Sequence, residues 1–580
     1  MLRGPDVRLR LITVLLIATL LLIVGQLVRL QVLGHAQHHT ETEALVHRQY
    51  ALPEPPWGII LDRNGNLLVG NLPVYNVGAE VNLVTDTVMS AMTLAPLLNR
   101  PAKDLQEVLT PPITDAGTSV WRPLANEVSE ETAAKIRELG WFWITLTPTW
   151  QRFYAEGALA SHTLGFVNKE GLGYGLQAFQ LRFLRGNNLS QTGPVSVQSS
   201  PLADEVVAKD ILPYPGTDLR LTLDRTIQAY IEGELDIALQ EYGASGGTIL
   251  VLNPRTGEIL AIASRPNYEP YRYPDHAAAG EEALFLDPAA SVPYEPGSVF
   301  KVLTLAAALD SGRATTDWSY YDNGKLEYGG IKVYNASRGA YGQQNLFGII
   351  SESLNVGASV LSTQVMGAEV FYQYLRAFGF GQTTGIEVVG ESSGLVHLPS
   401  DWNWSDSYLA TNAFGQGIAV TPLQLAAAVS AIANDGVMMQ PHIIAERRHS
   451  DGRSVAVLPK PISQPISAET AHAVAEIMAQ SVDKKSDSLE IPGYRLAGKS
   501  GTAQIPTTGG YEPDSVIASF IGFAPWPDPQ VLILVKIDRP DGIPLAQRWG
   551  EYTAVPVFRR VMERVVVLMG VPPNETLTRQ

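Results

Sequence analysis

The stretch YEPGSVFKVLTLAAAL, residues 294–309, predicts a helix in the middle of a domain. Pro296 and Gly297 break the chain just before Ser298, and the residues that follow, 299–309, are apolar on nearly every side. A helix that is apolar all round is buried inside a protein. Ser298 and Lys301 are three residues apart, so they share one face of this helix, one turn from each other.

Ser298 and Lys301 form a candidate catalytic pair. A serine hydroxyl is a weak nucleophile that needs a nearby base. A lysine serves as that base if burial or a second cation lowers its pKa towards neutrality. The structural alternative is an N-cap serine followed by a surface lysine. The spacing alone is a weak signal, because Ser481 and Lys484 have it too, in a charge-rich stretch that we expect to be exposed.

Two further motifs follow along the chain. Ser353-Leu354-Asn355 lies between an apolar pair at 349–350 and a helical stretch at 356–365, where Asn355 could simply cap the helix. Lys499-Ser500-Gly501-Thr502 precedes strand-like sequence. Lys499 and Thr502 should face opposite sides of a regular strand. If both reach one site, the strand must twist or Thr502 must act partly through its backbone.

The order of strands and helices predicts an α+β fold. Two apolar runs around the turn at 253–257 predict a β-hairpin, helices follow, and strands return near the C-terminus. Strands followed by helices and then strands argue against a repeated βαβ array. The predicted elements are strands at 76–81, 248–252, 258–263, 518–522 and 531–537, and helices at 127–139 and 299–309.

The composition excludes several classes of protein. With 580 residues, 45% of them hydrophobic and 17% charged, the chain can bury several cores and is not intrinsically disordered. A net charge of −16 without a basic tract makes nucleic-acid binding a poor hypothesis. The chain has no cysteine, which excludes disulfide scaffolds, thiolate metal sites and cysteine nucleophiles.

The N-terminus predicts a single membrane anchor. Residues 11–28 carry no charge, and this length is close to what a bilayer crossing needs. Arg3, Arg8 and Arg10 precede the run, so the short N-terminus should be cytoplasmic and the catalytic part extracytoplasmic. The alternative is a cleaved signal peptide, but the apolar run is long for one and 34–36 is a weak cleavage match.

With these motifs the sequence resembles the class B penicillin-binding proteins, which are peptidoglycan D,D-transpeptidases. Serine-x-x-lysine, serine-x-asparagine and lysine-serine/threonine-glycine, in this order, are typical of penicillin-binding proteins and serine β-lactamases. The resemblance spans roughly residues 50–565 and includes the stretches 58–65, 152–154, 161–167, 171–177 and 415–425. Two positions depart from the family. Trp57 replaces an arginine and Gln177 replaces a glutamate. Both positions would serve an ion pair inside the N-terminal pedestal, so the packing of the pedestal or its contact with a partner is in question.

The resemblance implies an α+β architecture of three parts. These are an N-terminal membrane anchor helix, an elongated mixed α/β pedestal, and a transpeptidase domain like that of penicillin-binding proteins and serine β-lactamases, with an antiparallel sheet flanked by helices. A turn-rich joint at 213–216 sets the main boundary. The predicted limits are 1–10 for a cytoplasmic tail, 11–30 for the anchor, 31–215 for the pedestal, 216–570 for the transpeptidase domain and 571–580 for a C-terminal tail.

The resemblance also assigns roles to the motif residues. Ser298 would be the nucleophile and Lys301 its base, while Ser353 and Lys499 would relay protons and lower the pKa of Lys301. The remaining motif residues would bind the substrate. Asn355 would hold a peptide amide, and Gly501 would let the substrate backbone approach the strand. Ser500 would bind substrate next to Gly501, and the Thr502 hydroxyl would bind a substrate carboxylate. Backbone N–H groups of Ser298 and Thr502 would form the oxyanion hole.

The implied substrates are peptidoglycan stem peptides ending in D-Ala-D-Ala, with β-lactam antibiotics as inhibitors and no metal or organic cofactor. His35, His38 and His39 have ligand-like spacing but no accompanying carboxylates, so a metal site there is not expected. The implied partner is a membrane glycosyltransferase of the shape, elongation, division and sporulation (SEDS) family, with other divisome or elongasome membrane proteins. The stretches 378–391 and 518–525 favour a division role over elongation.

Three rival functions remain open at this point. A secreted β-lactamase shares the three motifs but lacks an anchor and a pedestal. A D,D-carboxypeptidase differs only in using water as the acceptor. A non-catalytic scaffold of the division machinery would not need the intact motif residues.

Overall fold

The computed structural model describes residues 13–22, 55–111, 120–168, 170–186 and 214–574. By their contacts, Val74–Thr149 belong to one compact unit, whereas Pro56–Pro73, Trp150–Gly186 and the chain from Pro215 onward belong to a second. The domain limits given above, at 31–215 and 216–570, remain predictions.

The described residues form strands and helices in the following chain order. The strands are β1 Ile60–Leu61, β2 Leu67–Glu80, β3 Trp121–Ser129, β4 Ile144–Tyr154, β5 Phe166–Val167, β6 Gly173–Tyr174, β7 Asp218–Leu221, β8 Ala244–Leu252, β9 Ile259–Arg265, β10 Ser319–Asp322, β11 Lys325–Tyr328, β12 Ile331–Tyr334, β13 Gly342–Asn345, β14 Met438–Met439, β15 Ile444–Arg448, β16 Ser454–Ala456, β17 Pro461–Ser463, β18 Ala497–Thr507, β19 Gly510–Ala524 and β20 Val531–Pro540. The helices are α1 Thr87–Leu98, α2 Ala102–Leu109, α3 Glu130–Glu138, α4 Ser161–Leu164, α5 Gly175–Phe179, α6 Leu181–Leu184, α7 Arg225–Tyr242, α8 Tyr273–Ala278, α9 Pro288–Ser291, α10 Lys301–Asp310, α11 Leu346–Ser351, α12 Asn355–Val360, α13 Gly367–Ala377, α14 Asp406–Asn412, α15 Pro422–Ala433, α16 Ala468–Asp483, α17 Ser486–Leu489 and α18 Ala554–Leu568.

The first unit encloses a small core of its own. Side chains of β2, β3, α1, α2 and α3 form it, with Leu94, Leu105 and Leu124 almost completely buried. The predicted strand at 76–81 is confirmed as part of β2. The predicted helix at 127–139 begins later, at Glu130, because the preceding residues pair with β2 and the Ser129 hydroxyl caps the helix by accepting from the Thr132 N–H.

The second unit is built around a five-stranded antiparallel sheet in the order β18-β19-β20-β8-β9. The predicted hairpin is β8 and β9, in which Leu250 pairs with Ile262. The predicted strands at 518–522 and 531–537 are confirmed within β19 and β20. The α+β fold and the antiparallel sheet expected from the sequence are therefore both present.

Both faces of this sheet are covered by helices, because its central strands are apolar on both sides. Leu250 and Leu534 contribute to one core with side chains of α10, α15 and α16. Ile249 and Val535 contribute to a second core with side chains of α7 and α18. Since neighbouring residues of a strand point to opposite faces, this alternation produces three layers, with the sheet in the middle.

The described part of the N-terminal region is a helix at residues 13–22. Among the residues that the structure describes, no helix combines the length and the apolar character that a membrane crossing requires. Half of the predicted anchor at 11–30 lies outside those residues, as do His35, His38 and His39.

Candidate active site

A tight turn places Ser298 at the start of the central helix. Gly297–Phe300 forms a 3₁₀ turn, and the α-helix α10 begins at Lys301, two residues later than the sequence suggested. Gly297 has φ of +59°, and a Cβ there would lie 2.8 Å from the Thr502 carbonyl oxygen, so both conformation and space require glycine. Ser298 does not act as an N-cap: the cap position is Pro296, without a side-chain hydrogen bond. The hydroxyl is therefore free for other contacts.

Lys301 joins two of the three motifs. Its side chain is 1% exposed, so it is not a surface lysine. The Nζ atom lies 2.8 Å from Ser298 Oγ and 3.1 Å from Ser353 Oγ, and it donates to the Ser353 carbonyl oxygen at 2.6 Å. Burial, and then the charge of Lys499, lower the pKa of Lys301 well below its usual value. A neutral amine beside a serine hydroxyl can accept its proton.

The second motif sits in the bend between α11 and α12. Ser353 has φ of +56°, a left-handed conformation that is strained for a residue other than glycine and is often found at active sites. This bend turns both its carbonyl and its hydroxyl towards Lys301. Asn355 is the first residue of α12, and its side chain does not cap the helix. Instead, its Nδ2 donates to the Tyr334 carbonyl oxygen at 3.0 Å, which ties the motif to β12.

The third motif lies on β18, the edge strand of the main sheet. Lys499 is 4% exposed, and the one side-chain hydrogen bond given by its Nζ to the described residues goes to the Ser500 carbonyl oxygen at 2.8 Å. Burial, helped by the charge of Lys485, lowers the pKa of Lys499 to about 7. Among the described residues, Lys499 Nζ makes no hydrogen bond to Ser353, so the proton relay that the resemblance implies for these two residues remains a prediction.

The strand keeps its alternation, which answers the question raised by the spacing of Lys499 and Thr502. Lys499 and Gly501 are buried on one face, whereas Ser500 and Thr502 are half-buried on the other. Thr502 Oγ1 accepts from the Gly550 N–H at 3.0 Å. Lys499 therefore lines a small cavity that adjoins the main cleft, while Thr502 lines the cleft and Ser500 lines both.

Gly501 is required by the packing of the protein itself. A Cβ at this position would lie 2.5 Å from Ser519 Oγ and 2.8 Å from Val299 Cγ2. The sequence analysis expected the glycine to admit substrate backbone. The structure gives a different reason, because the space beside it is already occupied by β19 and by the turn that carries Ser298.

A cleft of about 1010 Å³ collects the motif residues except the two buried lysines. This volume is at the upper end of small-molecule sites and suits a peptide better than a single amino acid. The motif residues that line it are Ser298, Ser353, Asn355, Ser500, Gly501 and Thr502. Cleft residues that the sequence analysis did not single out include Tyr334, Arg338, Tyr511, Arg548 and Trp549.

The second serine and lysine with the same spacing do not form a comparable pair. Ser481 is buried on α16, contrary to the expectation of an exposed stretch, because α16 packs against the main core. Lys484 is half-exposed and donates to Glu352 at 2.5 Å. The Lys484 amine is therefore directed to Glu352 and makes no hydrogen bond to Ser481 among the described residues.

The two departures from the family in the pedestal stretches meet in one network. Gln177 is completely buried; its Oε1 accepts from Arg152 Nε at 2.9 Å, and its Nε2 donates to Tyr154 Oη and the Gly165 carbonyl oxygen. The Arg152 guanidinium also lies over the Trp57 ring, 5.4 Å from its centre. A neutral amide and an aromatic ring thus hold this arginine, at the two positions whose departure from the family puts an ion pair in question. Burial lowers the pKa of Arg152 to about 10.

Two family models match the chain. The penicillin binding protein transpeptidase domain matches residues 247–563, and the penicillin-binding protein dimerisation domain matches residues 53–189. The first match includes all three motifs and the whole five-stranded sheet except the first residues of β8.

Individual proteins show the same likeness over most of the chain. Stage V sporulation protein D of Bacillus subtilis is 32% identical over 532 residues, which are 90% of this chain and 80% of that protein. The probable peptidoglycan D,D-transpeptidase PenA of Neisseria meningitidis is 28% identical over 90% of this chain and 86% of its own length. The crystal structure of penicillin binding protein 3 from Mycobacterium tuberculosis with aztreonam superposes with a TM-score of 0.67 at 26% identity, covering 90% of this chain and 98% of that one. This chain therefore belongs to the penicillin-binding protein transpeptidases, in the class B arrangement of a dimerisation domain followed by a transpeptidase domain.

Proposed function

We propose that this protein is a peptidoglycan D,D-transpeptidase that crosslinks stem peptides through an acyl-enzyme on Ser298. The observation that carries the proposal is the buried Lys301 amine within 2.8 Å of Ser298 Oγ, in a chain of this family. A nucleophile and a base within hydrogen-bond distance are what covalent catalysis by serine requires.

Acylation begins with a stem peptide ending in D-Ala-D-Ala in the cleft. Lys301 takes the proton of Ser298 Oγ as the oxygen attacks the carbonyl carbon of the penultimate D-alanine. Backbone N–H groups of Ser298 and Thr502 stabilise the negative charge on the carbonyl oxygen. The C–N bond then breaks, and the leaving amine of the terminal D-alanine takes a proton from the Lys301 ammonium. Serine now carries the donor peptide as an ester.

Deacylation uses the amine of a second stem peptide. This amine attacks the ester carbonyl, loses a proton to Lys301 and forms the crosslinking amide bond, while Ser298 Oγ leaves and regains its proton. Ser353, whose Oγ lies 3.1 Å from Lys301 Nζ, offers a path for protons between these steps. Asn355 holds a peptide amide of the substrate, and the Ser500–Thr502 strand with Lys499 attracts the terminal carboxylate.

The edge position of β18 supports binding of the substrate as an extended chain. An edge strand has unpaired N–H and C=O groups on its outer side, and peptides commonly bind by adding a strand there. β-Lactams would enter the same place as inhibitors, as aztreonam does in the similar solved structure named above.

The wider setting of the reaction is also part of the proposal. Residues 11–30 anchor the protein as a single-pass membrane protein with a cytoplasmic N-terminus, residues 31–215 form the pedestal, and residues 216–570 form the transpeptidase domain. A SEDS-family glycosyltransferase supplies the glycan strands, together with other division proteins. The likeness of the sequence to division-type members favours septal wall synthesis over elongation.

The test follows the acyl-enzyme on the full chain in detergent. Incubation with a labelled penicillin should add one penicillin mass to the protein, on the peptide that contains Ser298. Ser298→Ala should abolish labelling, whereas the matched control Ser481→Ala should label like the parent. Labelling that persists in Ser298→Ala would contradict the assignment of the nucleophile.

A second measurement separates the rival activities. With a D-Ala-D-Ala pentapeptide and an acceptor amine, the parent should release D-alanine and form the crosslinked amide. Release of D-alanine with only the hydrolysed tetrapeptide would identify a carboxypeptidase. Rapid turnover of penicillin would identify a β-lactamase. The absence of any penicillin adduct would favour a non-catalytic scaffold.

A further inference from the structure

One wall of the cleft is formed by β12 and the loop that follows it. Residues 331–338 and Tyr341 all line the cleft. β12 pairs with β11, so that Lys332 lies across from Glu327. None of these residues belongs to the three catalytic motifs. The charged side chains of this wall therefore have no role in the chemistry proposed above.

The wall is fixed to the second catalytic motif by buried polar contacts. Asn335 is 2% exposed; its Nδ2 donates to both carboxylate oxygens of Asp322, and its Oδ1 accepts from the Val356 N–H at 3.1 Å. Next to it, the Tyr334 carbonyl oxygen accepts from Asn355 Nδ2 at 3.0 Å. The start of the loop after β12 is therefore hydrogen-bonded to Asn355, the residue that would hold the substrate amide.

Arg338 is held in a defined position on this loop. Its N–H donates to the Asn335 carbonyl oxygen at 2.9 Å, and its φ of +59° is the left-handed conformation. The guanidinium lies over the Tyr334 ring, 4.5 Å from the ring centre. A cation stacked on an aromatic face keeps its N–H donors available at the edge of the guanidinium plane. Arg338 is therefore ordered at the backbone and at the side chain, yet its donors remain open to the cleft.

The charges of the cleft single out Arg338. Five cationic side chains line it, and four of them face a carboxylate: Lys332 with Glu327, Lys484 with Glu352, Lys485 with Glu551, and Arg548 with Asp541. Within the described ranges, no carboxylate lies within ion-pair distance of Arg338. In a chain with a net charge of −16, an arginine left unpaired beside the site is available to an anion from outside.

We propose that Arg338 binds a second carboxylate of the donor peptide, one that lies upstream of the D-Ala-D-Ala end. The inference rests on the proposed function. In the proposed function, the terminal carboxylate of the substrate binds at the Ser500–Thr502 strand. Arg338 lies on the side of the cleft formed by Asn355 and Tyr334, so it contacts a different part of the peptide. A planar guanidinium pairs with a carboxylate through two parallel hydrogen bonds, which a carboxamide cannot reproduce. The enzyme therefore prefers stem peptides with a free carboxylate over their amidated forms.

The test uses two pentapeptides ending in D-Ala-D-Ala that differ at one group. The side-chain carboxylate of the third residue is free in one and a carboxamide in the other, and D-alanine release gives kcat/KM for each. The parent should prefer the free carboxylate at least tenfold, mainly through KM. Arg338→Gln should lose at least tenfold on the carboxylate peptide and nothing on the carboxamide. Arg338→Lys, which keeps the charge but not the paired hydrogen bonds, should fall between the two.

The matched control is Lys332→Gln, on the same wall, whose ammonium already faces Glu327 at 3.5 Å. It should leave the preference unchanged. Penicillin acylation of Arg338→Gln should proceed at the parental rate, which verifies that the site is intact. An equal loss on both peptides, or an unchanged preference in Arg338→Gln, would overturn the inference alone. A parent that releases D-alanine from neither peptide would overturn the proposed function and the inference with it.

Discussion

At the scale of single residues, the two buried lysines of the site differ in surroundings and in proposed role. Lys301 touches two hydroxyls and a carbonyl, whereas Lys499 donates to a carbonyl of its own strand. Burial lowers the pKa of both, and each is further lowered by another lysine: Lys301 by Lys499, and Lys499 by Lys485. Burial, and then the charge of Lys499, thus favour the neutral amine of Lys301, which is the form that accepts a proton.

The pH dependence of acylation tests these roles. A lowered pKa of Lys301 means that its neutral fraction, and the acylation rate, rise with pH from the acid side. Above the pKa of about 7 of Lys499, loss of its charge should weaken attraction of the penicillin carboxylate, so the second-order rate constant should fall again. Lys499→Arg remains charged, and we expect a lower rate without this fall. Lys301→Arg has no neutral form, and we expect a loss of about 10²- to 10⁴-fold at every pH.

The measurement is the rate of labelling by a fluorescent penicillin between about pH 5 and about pH 9, on both sides of the pKa of about 7 of Lys499. If Lys301→Arg were acylated like the parent, Lys301 could not be the base. Ser353 or a bound water would then be the next candidate.

At the scale of elements, short turns and caps determine where the site residues lie. The 3₁₀ turn at Gly297–Phe300 brings Ser298 within reach of Lys301, one turn further along α10. On α15, Thr421 and Gln424 form a reciprocal capping box at the start of a helix whose residues are all buried. The hydrogen bonds of Gln177 likewise connect β4, the end of α4 and α5, and they hold the Arg152 guanidinium through neutral partners.

Replacing Gln177 with leucine should therefore destabilise this network. Leucine has a similar volume but leaves Arg152 Nε without its partner in a buried place. Tyr154 Oη and the Gly165 carbonyl oxygen each lose one hydrogen bond and keep only the one between them. We expect a loss of about 2 to 3 kcal/mol in the free energy of unfolding, because unpaired buried polar groups keep their full desolvation cost. Denaturant unfolding followed by far-ultraviolet circular dichroism measures it.

The control is Gln180→Leu, at a second buried glutamine three residues further on, whose Oε1 has no hydrogen-bond partner. This variant should lose less than about 1 kcal/mol, since little bonding is removed. Equal losses in the two variants would show that Arg152 does not depend on Gln177.

At the scale of the whole molecule, the antiparallel sheet and its two helical layers create the burial on which the chemistry depends. Lys301 and Lys499 have ionisable side chains that are buried beside the sheet, at 1% and 4% exposure. Such burial raises the free energy of a protonated lysine in the folded state but not in the unfolded state. The site is therefore maintained at the expense of stability.

The stability of the full chain should depend on pH through Lys499. Its pKa is about 7 in the folded protein and about 10.4 in an unfolded chain, so the unfolded state binds more protons between these values. The free energy of unfolding must then rise with pH across this window. Lys499→Met removes the effect, so it should be more stable than the parent at pH near 6 and lose this advantage by about 1.4 kcal/mol per pH unit towards alkaline pH.

Calorimetric melting temperatures of the two proteins across the window give the comparison. Lys484→Met serves as the control, because that side chain is 51% exposed and its removal should leave the pH profile unchanged. A difference between parent and Lys499→Met that does not vary with pH would contradict a lowered pKa for Lys499.

The sequence by itself determined the family, the three motifs and four of the five strands of the main sheet. Each of these is a local signal: the alternation in β8 and β9, the Pro-Gly break before Ser298, and residue types at short, fixed spacing. Local signals can be recognised in the sequence because they reflect backbone geometry and the period of side chains along one element.

Only the tertiary structure decided what each residue touches. Ser481 and Ser298 have the same spacing to a lysine, but contacts with distant parts of the chain bury one lysine and expose the other. The packing role of Gly501 arises in the same way from β19, and the lowered pKa of Lys499 arises from burial and then from the charge of Lys485. Burial and electrostatic fields sum over all neighbours in space, and the chain order of those neighbours does not reveal their distances.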